Sequence, residues 1–210
     1  MTKVPTLEEI LRAFCNPSPD LINDFTRSAQ LYHASRYDTI VAQDQICDRF
    51  IILRSGMTRI VHRTDDSEDT LLFGTSGDVF TAMQSYVYGK PSRLGVEAIT
   101  RSEYWAISYH RFRSMTERYP ELITWLSNYL MGQTATLEDF YLTLKFKSAE
   151  ERLLRLIDRE RSYFEPEKFD KLTKIVPSRI LAQYLGITPS SLSRIRRNLI
   201  ERAKLQNNAT

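Results

Sequence analysis

The chain has 210 residues, 42% of them hydrophobic and 26% charged, with a formal net charge of +3, which is ordinary for a globular protein and enough for one large or two modest domains. No apolar run approaches the ~18 residues of a membrane-spanning helix, and Glu8 and Glu9 stand where a signal peptide would carry its apolar stretch, so a cytoplasmic setting without a membrane partner is expected. Two cysteines, Cys15 and Cys47, and three histidines without a His-x-His pattern offer no disulfide framework, no metal or iron–sulfur ligand set and hence no expected cofactor.

Two short amphipathic helices are predicted first, at about residues 6 to 14 and 20 to 30. From Leu31 to Ser108 the pattern reads as β. FIIL at 50 to 53, RSG, and MTRIVHR at 57 to 63 give strand, tight turn and strand, with Ser55-Gly56 supplying the permissive backbone. TDDSED at 64 to 69 is a polar hairpin tip, TLLFG resumes a strand, and Gly74 and Gly77 punctuate the next corner. VEAIT at 96 to 100 and YWAIS at 104 to 108 add two more short strands. Many short strands at close spacing predict an antiparallel sandwich or barrel. Tyr86 and Tyr88, in the segment between, read as core or pocket filling.

Beyond His110 the chain turns helical. Tyr119, Leu126, Gln133 and Phe140 form one series stepping by seven, and Ile123, Leu130, Leu137 and Leu144 form a second offset by four. That is a heptad seam, and it predicts a long helix that pairs with a second copy of itself, Gln133 weakening the pairing and fixing its register. KSAEERLLRLIDRE at 147 to 160 follows as an amphipathic helix with Leu153, Leu156 and Ile157 on one side; YFEPEKFDKLTKIV reads as a looped connection with some strand character.

The stretch PSRILAQYLGITPSSLSRIRRNL encodes two helices and a tight turn. Pro177 suits a helix start and Ser178 a cap; Ile180, Leu181, Tyr184 and Leu185 fill an apolar face; Gly186 ends the helix where a left-handed residue is needed. Thr188 then caps a second helix with Pro189 in its first turn. Small Ala182 permits close crossing, and Leu192 and Ile195 face inward. This spacing predicts a helix-turn-helix. Thr188, Ser190, Ser191, Ser193, Arg194, Arg196 and Arg197 are left on or near the outer side, with Arg194 suited to a guanine edge and the hydroxyls, Arg196 and Arg197 to phosphates. The last forty residues carry eight lysines and arginines against Glu201 alone, leaving −4 for the rest; a basic end on an acidic body is the footprint of a polyanion-binding module.

Taken in order, residues 20 to 203 resemble the Crp/Fnr transcription regulators. DRFIILRSGMTRIVHRTDDSEDTLLFGTSGDVF is similar to that family's cyclic-nucleotide-binding jelly roll, and ITRSEYWAISYHRFRSMTERYPEL to its last strands and the start of its dimerisation helix. The resemblance implies an α+β chain: an N-terminal antiparallel β jelly-roll sensor domain (1–118), a long dimerisation helix (119–147) carrying Ile123, Leu126, Leu130, Gln133, Leu137, Phe140 and Leu144, and a C-terminal helix-turn-helix DNA-binding domain of winged-helix type (148–210). It also implies a homodimer on a two-fold-symmetric double-stranded operator, a small-molecule effector of unknown identity, RNA polymerase as a further partner, and no enzyme activity. Arg194 falls where a base-contacting arginine is expected, and Ser190 where many members carry a glutamate, so the operator should differ from the usual one. Ten residues follow Ile200, too few for the family's terminal strands, so the wing is expected to be truncated.

The sensor site departs from the family pattern. Members that bind cyclic nucleotides use a Gly-Glu corner for the ribose and an Arg-Ser pair for the phosphate. Here the corner is Gly77-Asp78 and the pair is reversed, Ser92 before Arg93. In an ungapped register the arginine points away from the pocket, so cyclic AMP is not the expected effector. The competing reading is a jelly-roll effector-binding or interaction protein that does not bind DNA.

Overall fold

The computed structural model describes residues 4–159 and 175–207; the predicted looped connection falls almost wholly outside them. Helix α1 (Leu7–Arg12) begins in a capping box in which Thr6 accepts from the Glu9 amide and Glu9 reaches back to the Thr6 amide. Ser18 caps α2 (Pro19–Ser28). Leu7, Ile10, Leu11, Leu21 and Phe25 of these helices are buried in one core with Phe50, Ile52 and Ile107.

Eight strands follow: β1 (Gln30–Ala34), β2 (Thr39–Val41), β3 (Arg49–Ser55), β4 (Thr58–Arg63), β5 (Glu68–Gly74), β6 (Val79–Phe80), β7 (Gly95–Ala98) and β8 (Ser102–Ser108). They form two four-stranded antiparallel sheets, β1-β8-β3-β6 and β2-β7-β4-β5, a jelly roll. The TDDSED tip closes a true hairpin, with Arg63 opposite Glu68 and the Thr64 amide donating to the Ser67 carbonyl at 2.9 Å. The Ser55-Gly56 turn does something else. β3 and β4 lie in different sheets, so this turn is a corner between layers, and β7 and β8 are split in the same way.

Gly56 shows why that corner needs glycine. Its φ is +94°, and a Cβ there would lie 2.7 Å from the Arg101 carbonyl oxygen. Gly56→Ala is therefore expected to cost on the order of 2 kcal/mol, read as a lower midpoint in urea unfolding without a change in slope.

A short helix, α3 (Met83–Tyr88), interrupts the strands where no element was predicted; Gly89 ends it in the left-handed region. Tyr86 packs edge-on against Phe50 and Tyr109, whereas Tyr88 is exposed. After α4 (Tyr109–Arg118) the chain breaks at Tyr119, and Pro120 opens α5 (Pro120–Phe146). Leu122, Trp125 and Tyr129 fasten α5 to the N-terminal part of the chain: Trp125 stacks on Tyr129 and donates its indole N–H to the Ile10 carbonyl at 3.0 Å. Beyond them residues 131–139 are exposed on every side.

A second capping box, between Ser148 and Glu151, starts α6 (Ala149–Arg159). The Ser148 amide and hydroxyl and the Lys147 ammonium hold the exposed Glu151 carboxyl down at about 2. Leu153, Leu156 and Ile157 join Leu181, Leu185 and Leu192 in a core that unites α6 with α7 (Ser178–Leu185) and α8 (Pro189–Asn207). α8 continues as helix to residue 207.

Candidate DNA-reading helices and effector cavity

The sharp turn between α7 and α8 rests on Gly186, whose φ of +63° lets its amide and that of Ile187 bond back to the last turn of α7, Ile187 N–H to the Ala182 carbonyl at 3.0 Å. Ala182 is 1% exposed at this crossing; a larger side chain there would push the helices apart. One expectation is corrected: Pro177, not Ser178, occupies the cap of α7, with no side-chain bond, and Ser178 is the first helical residue. Thr188 caps α8, accepting from the Ser191 amide at 3.2 Å, and its hydroxyl also meets the Ser190 and Ser191 hydroxyls.

Leu192 is buried and Ile195 half-buried on the inner face. Thr188, Ser190, Ser193, Arg194 and Arg197 are exposed, and Ser191 is half-exposed. They lie together at the N-terminal half of α8, where free amides and the helix dipole favour anions. Ser193 donates to the Pro189 carbonyl. Arg196 is half-buried, set further inward than its expected phosphate role suggested.

α7 does not stand clear of the jelly roll. It covers the outer face of the β2-β7-β4-β5 sheet, where strand pairing sets Arg59 between Phe73 and Glu97 and the bulge in the β4–β5 pairing brings Thr70 to the same side. Arg59 is 5% exposed and Glu97 7%. Arg59 donates to Glu97 Oε2 (2.7 and 3.0 Å), Glu68 Oε1 (3.0 Å) and Thr70 Oγ1 (3.1 Å), and reaches Gln183 Oε1 of α7 at 3.4 Å. Arg63 completes the cluster on Glu68 and Glu97, and Thr70 donates to Gln183 at 3.2 Å. Burial would raise the Glu68 carboxyl, but bonds and charge from Arg59 and Arg63 outweigh it and hold Glu68 below the usual carboxylate range. Phe73 and Tyr184 meet at 5.0 Å between ring centres. No residue pattern announced this contact, because the partners lie 113 to 124 residues apart.

The inner face of the same sheet opens onto a cavity of about 620 Å³. Val41, Ile60, Leu71, Val79, Phe80, Leu94 and Val96 form its apolar wall; Thr81, Ala82, Met83 and Gln84 close one side; His62, Asp69, Ser92 and Arg93 supply the remaining polar groups. Ser92 is 6% exposed, and its hydroxyl is engaged with the Leu94 carbonyl (2.7 Å) and amide (3.3 Å). Arg93 is exposed and reaches the cavity at its rim; it precedes β7, so strict strand alternation does not govern it. Gly77 and Asp78 are not among the lining residues. They form the β5–β6 corner, where Gly77 has a φ of +96° and Asp78 accepts from the Thr75 amide at 2.7 Å. The cavity wall begins immediately after this pair, at Val79, and continues through Gln84.

Along α5, Ile123, Leu137 and Leu144 are exposed, Leu126 and Leu130 half-buried, and Gln133 exposed. Phe140 is partly withdrawn from the seam, packing on Tyr184 at 5.9 Å. Exposed Tyr141 adjoins it.

The described residues thus combine a jelly roll lined by a cavity, a long helix and a C-terminal pair of tightly joined helices. Residues 33–119 match the family described as the cyclic nucleotide-binding domain. Its fold is that of the Crp/Fnr regulators. FixK2 from Bradyrhizobium japonicum aligns with a TM-score of 0.69 at 20% identity over 83% of this chain and 86% of that one. The c-di-GMP-responsive global regulator CLP of Xanthomonas campestris aligns at 0.66 and 17% identity over 89% and 93%, and the catabolite activator protein of Thermus thermophilus at 0.53 and 19% over 92% and 88%. A search of curated proteins finds no match. Among the described residues no helix is long and apolar enough to cross a membrane.

Proposed function

We propose that the protein is a homodimeric, sequence-specific DNA-binding transcription regulator of the Crp/Fnr type, whose jelly roll senses a small molecule other than cyclic AMP. The observation that carries this reading is the exposed Thr188–Arg197 face of α8, set by a Gly186 turn and a Thr188 cap onto a helix buried along Leu192. A helix held in this way can enter a major groove with Arg194 toward base edges and Ser190, Ser191 and Ser193 toward the backbone. Arg196 and Arg197 add cationic charge behind them. α5 supports the dimer: a helix whose mid-section is bare and whose exposed residues include Ile123, Leu137, Tyr141 and Leu144 gains by pairing. Two copies would present two α8 helices to a two-fold-symmetric operator in the cytoplasm, with RNA polymerase as the downstream partner.

Selection of bound sequences from a random duplex pool tests this. Paired half-sites related by two-fold symmetry are the expected outcome, and recovery of no enriched sequence at low salt defeats the reading. Within a selected site, Arg194→Ala is expected to cost ~1–3 kcal/mol and to relax preference at one base pair per half-site. A uniform loss over all sequences would make Arg194 a phosphate contact instead.

A further inference from the structure

We propose that the jelly-roll cavity binds an uncharged, largely apolar alkyl or aryl molecule bearing one hydroxyl or carbonyl, whose polar group hydrogen-bonds Thr81. The inference deepens the regulator reading by naming the class of effector, and rests on it only for what binding does to DNA affinity.

The cavity's volume of about 620 Å³ falls within the ~300–1,000 Å³ of small-molecule sites. Its walls are branched aliphatic and aromatic side chains, Val41, Ile60, Leu71, Phe80 and Val96 among them. Such a surface gains by excluding water against another apolar surface. Thr81 Oγ1 is buried and has no hydrogen-bond partner among the described residues. A buried hydroxyl left in that condition carries a desolvation penalty, and a turn of the Thr81 side chain toward the cavity that this residue lines would let a ligand hydroxyl or carbonyl remove it.

A phosphodiester fits poorly. Burying its charge requires a cation inside the pocket, and the inward-facing residue at that place is Ser92, neutral and already engaged with Leu94. Arg93 stays exposed at the rim, and Asp69, also exposed, lines the same cavity. No residue in the Thr81–Gln84 wall offers a carboxylate for a ribose.

Occupancy would be felt elsewhere. Val79, next to Thr81 in the wall, is clamped by Tyr129 of α5, whose hydroxyl donates to the Val79 carbonyl at 2.9 Å and accepts from its amide at 3.2 Å. Leu71 belongs to the strand whose Thr70 holds Gln183 of α7. Pressure on either wall reaches the dimer helix or the helix-turn-helix through one residue.

The test uses the full chain and the uncharged aryl probe N-phenyl-1-naphthylamine, followed by its fluorescence, with 2-undecanone and cyclic AMP as competitors. The probe is expected to bind, 2-undecanone to displace it, and cyclic AMP to leave it in place. Leu71→Trp, which fills the cavity, should abolish probe binding, with Ala82→Phe as the second filling variant if the first does not fold. Leu137→Glu on the seam should leave probe binding intact, locating the site. Thr81→Val keeps the shape and removes the oxygen; it should weaken 2-undecanone roughly fivefold to tenfold. Displacement by cyclic AMP, probe binding unaltered by both filling variants, or unchanged 2-undecanone affinity in Thr81→Val would overturn the inference. DNA binding is scored in parallel: selected duplex bound without probe binding defeats the ligand and spares the regulator, and the converse result does the opposite.

Discussion

Leu137→Glu should convert the protein from twice its chain mass to a monomer and weaken operator binding by roughly 100-fold or more, since a tethered second half-site multiplies affinity by about 10²–10⁴. Leu137 is 57% exposed at the centre of α5, within a stretch where residues 131–139 touch little of their own protomer. A charge there in both copies would face its equivalent across an apolar seam. Sedimentation or light scattering gives the mass, and a mobility shift with a full operator gives the affinity. Leu142→Glu is the control: Leu142 is 51% exposed but lies well around the helix from the seam, and the dimer should persist. A dimer that survives Leu137→Glu would place the interface elsewhere.

Arg59→Ala carries the second large effect, an expected loss of about 3 kcal/mol in stability. The guanidinium is almost fully buried and binds Glu97, Glu68 and Thr70 while touching Gln183. Without it Glu97 keeps Arg63 as its charged partner among the described residues, which keeps the penalty toward the lower end for a broken buried pair. Urea unfolding measures the loss. Adding Glu97→Gln should recover part of it, because the stranded charge is then gone; equal losses in the single and double variants would mean that the pair acts only through packing. The pH dependence has a defined sign. Glu68 is held below its unfolded value near ~4.3, so its contribution is present above that pH and is lost as pH falls through the folded value. Arg59→Ala should flatten this acid-side slope. The substitution also removes a direct bond to α7, so the protease sensitivity of the α7–α8 pair should rise with it.

Local chemistry made much of the architecture legible. Apolar periodicity placed the helices at about 6 to 14 and 147 to 160, and Thr6 with Glu9 and Ser148 with Glu151 satisfy the amides that their first turns leave free. Gly186, Thr188 and Pro189 fixed the helix-turn-helix because each answers a backbone requirement met within a few residues. The polar tip between β4 and β5 was legible for the same reason. The partition of strands was not. A two-residue turn after β3 looks like a hairpin in any sequence, and only the close packing of Gly56 against Arg101 and Ser102 turns it into a corner between sheets. The place of Gly77-Asp78 was likewise set by the fold: the carboxylate caps its own turn, and the cavity lining begins at the next residue, Val79.

By itself, then, the sequence determined the order of most elements, the Thr188 cap, the apolar stripe of α5 and the cationic face of α8, since these depend on neighbours within one or two turns; α3 and the cap of α7 came only with the structure. The tertiary structure alone decided that Phe140 turns aside to Tyr184, that α7 seals Arg59 and Glu97 under Gln183, and that side chains from five strands enclose an apolar chamber. The physical reason is range: hydrogen bonds within a turn repeat in sequence, whereas burial depends on which distant surfaces the folded chain brings into contact.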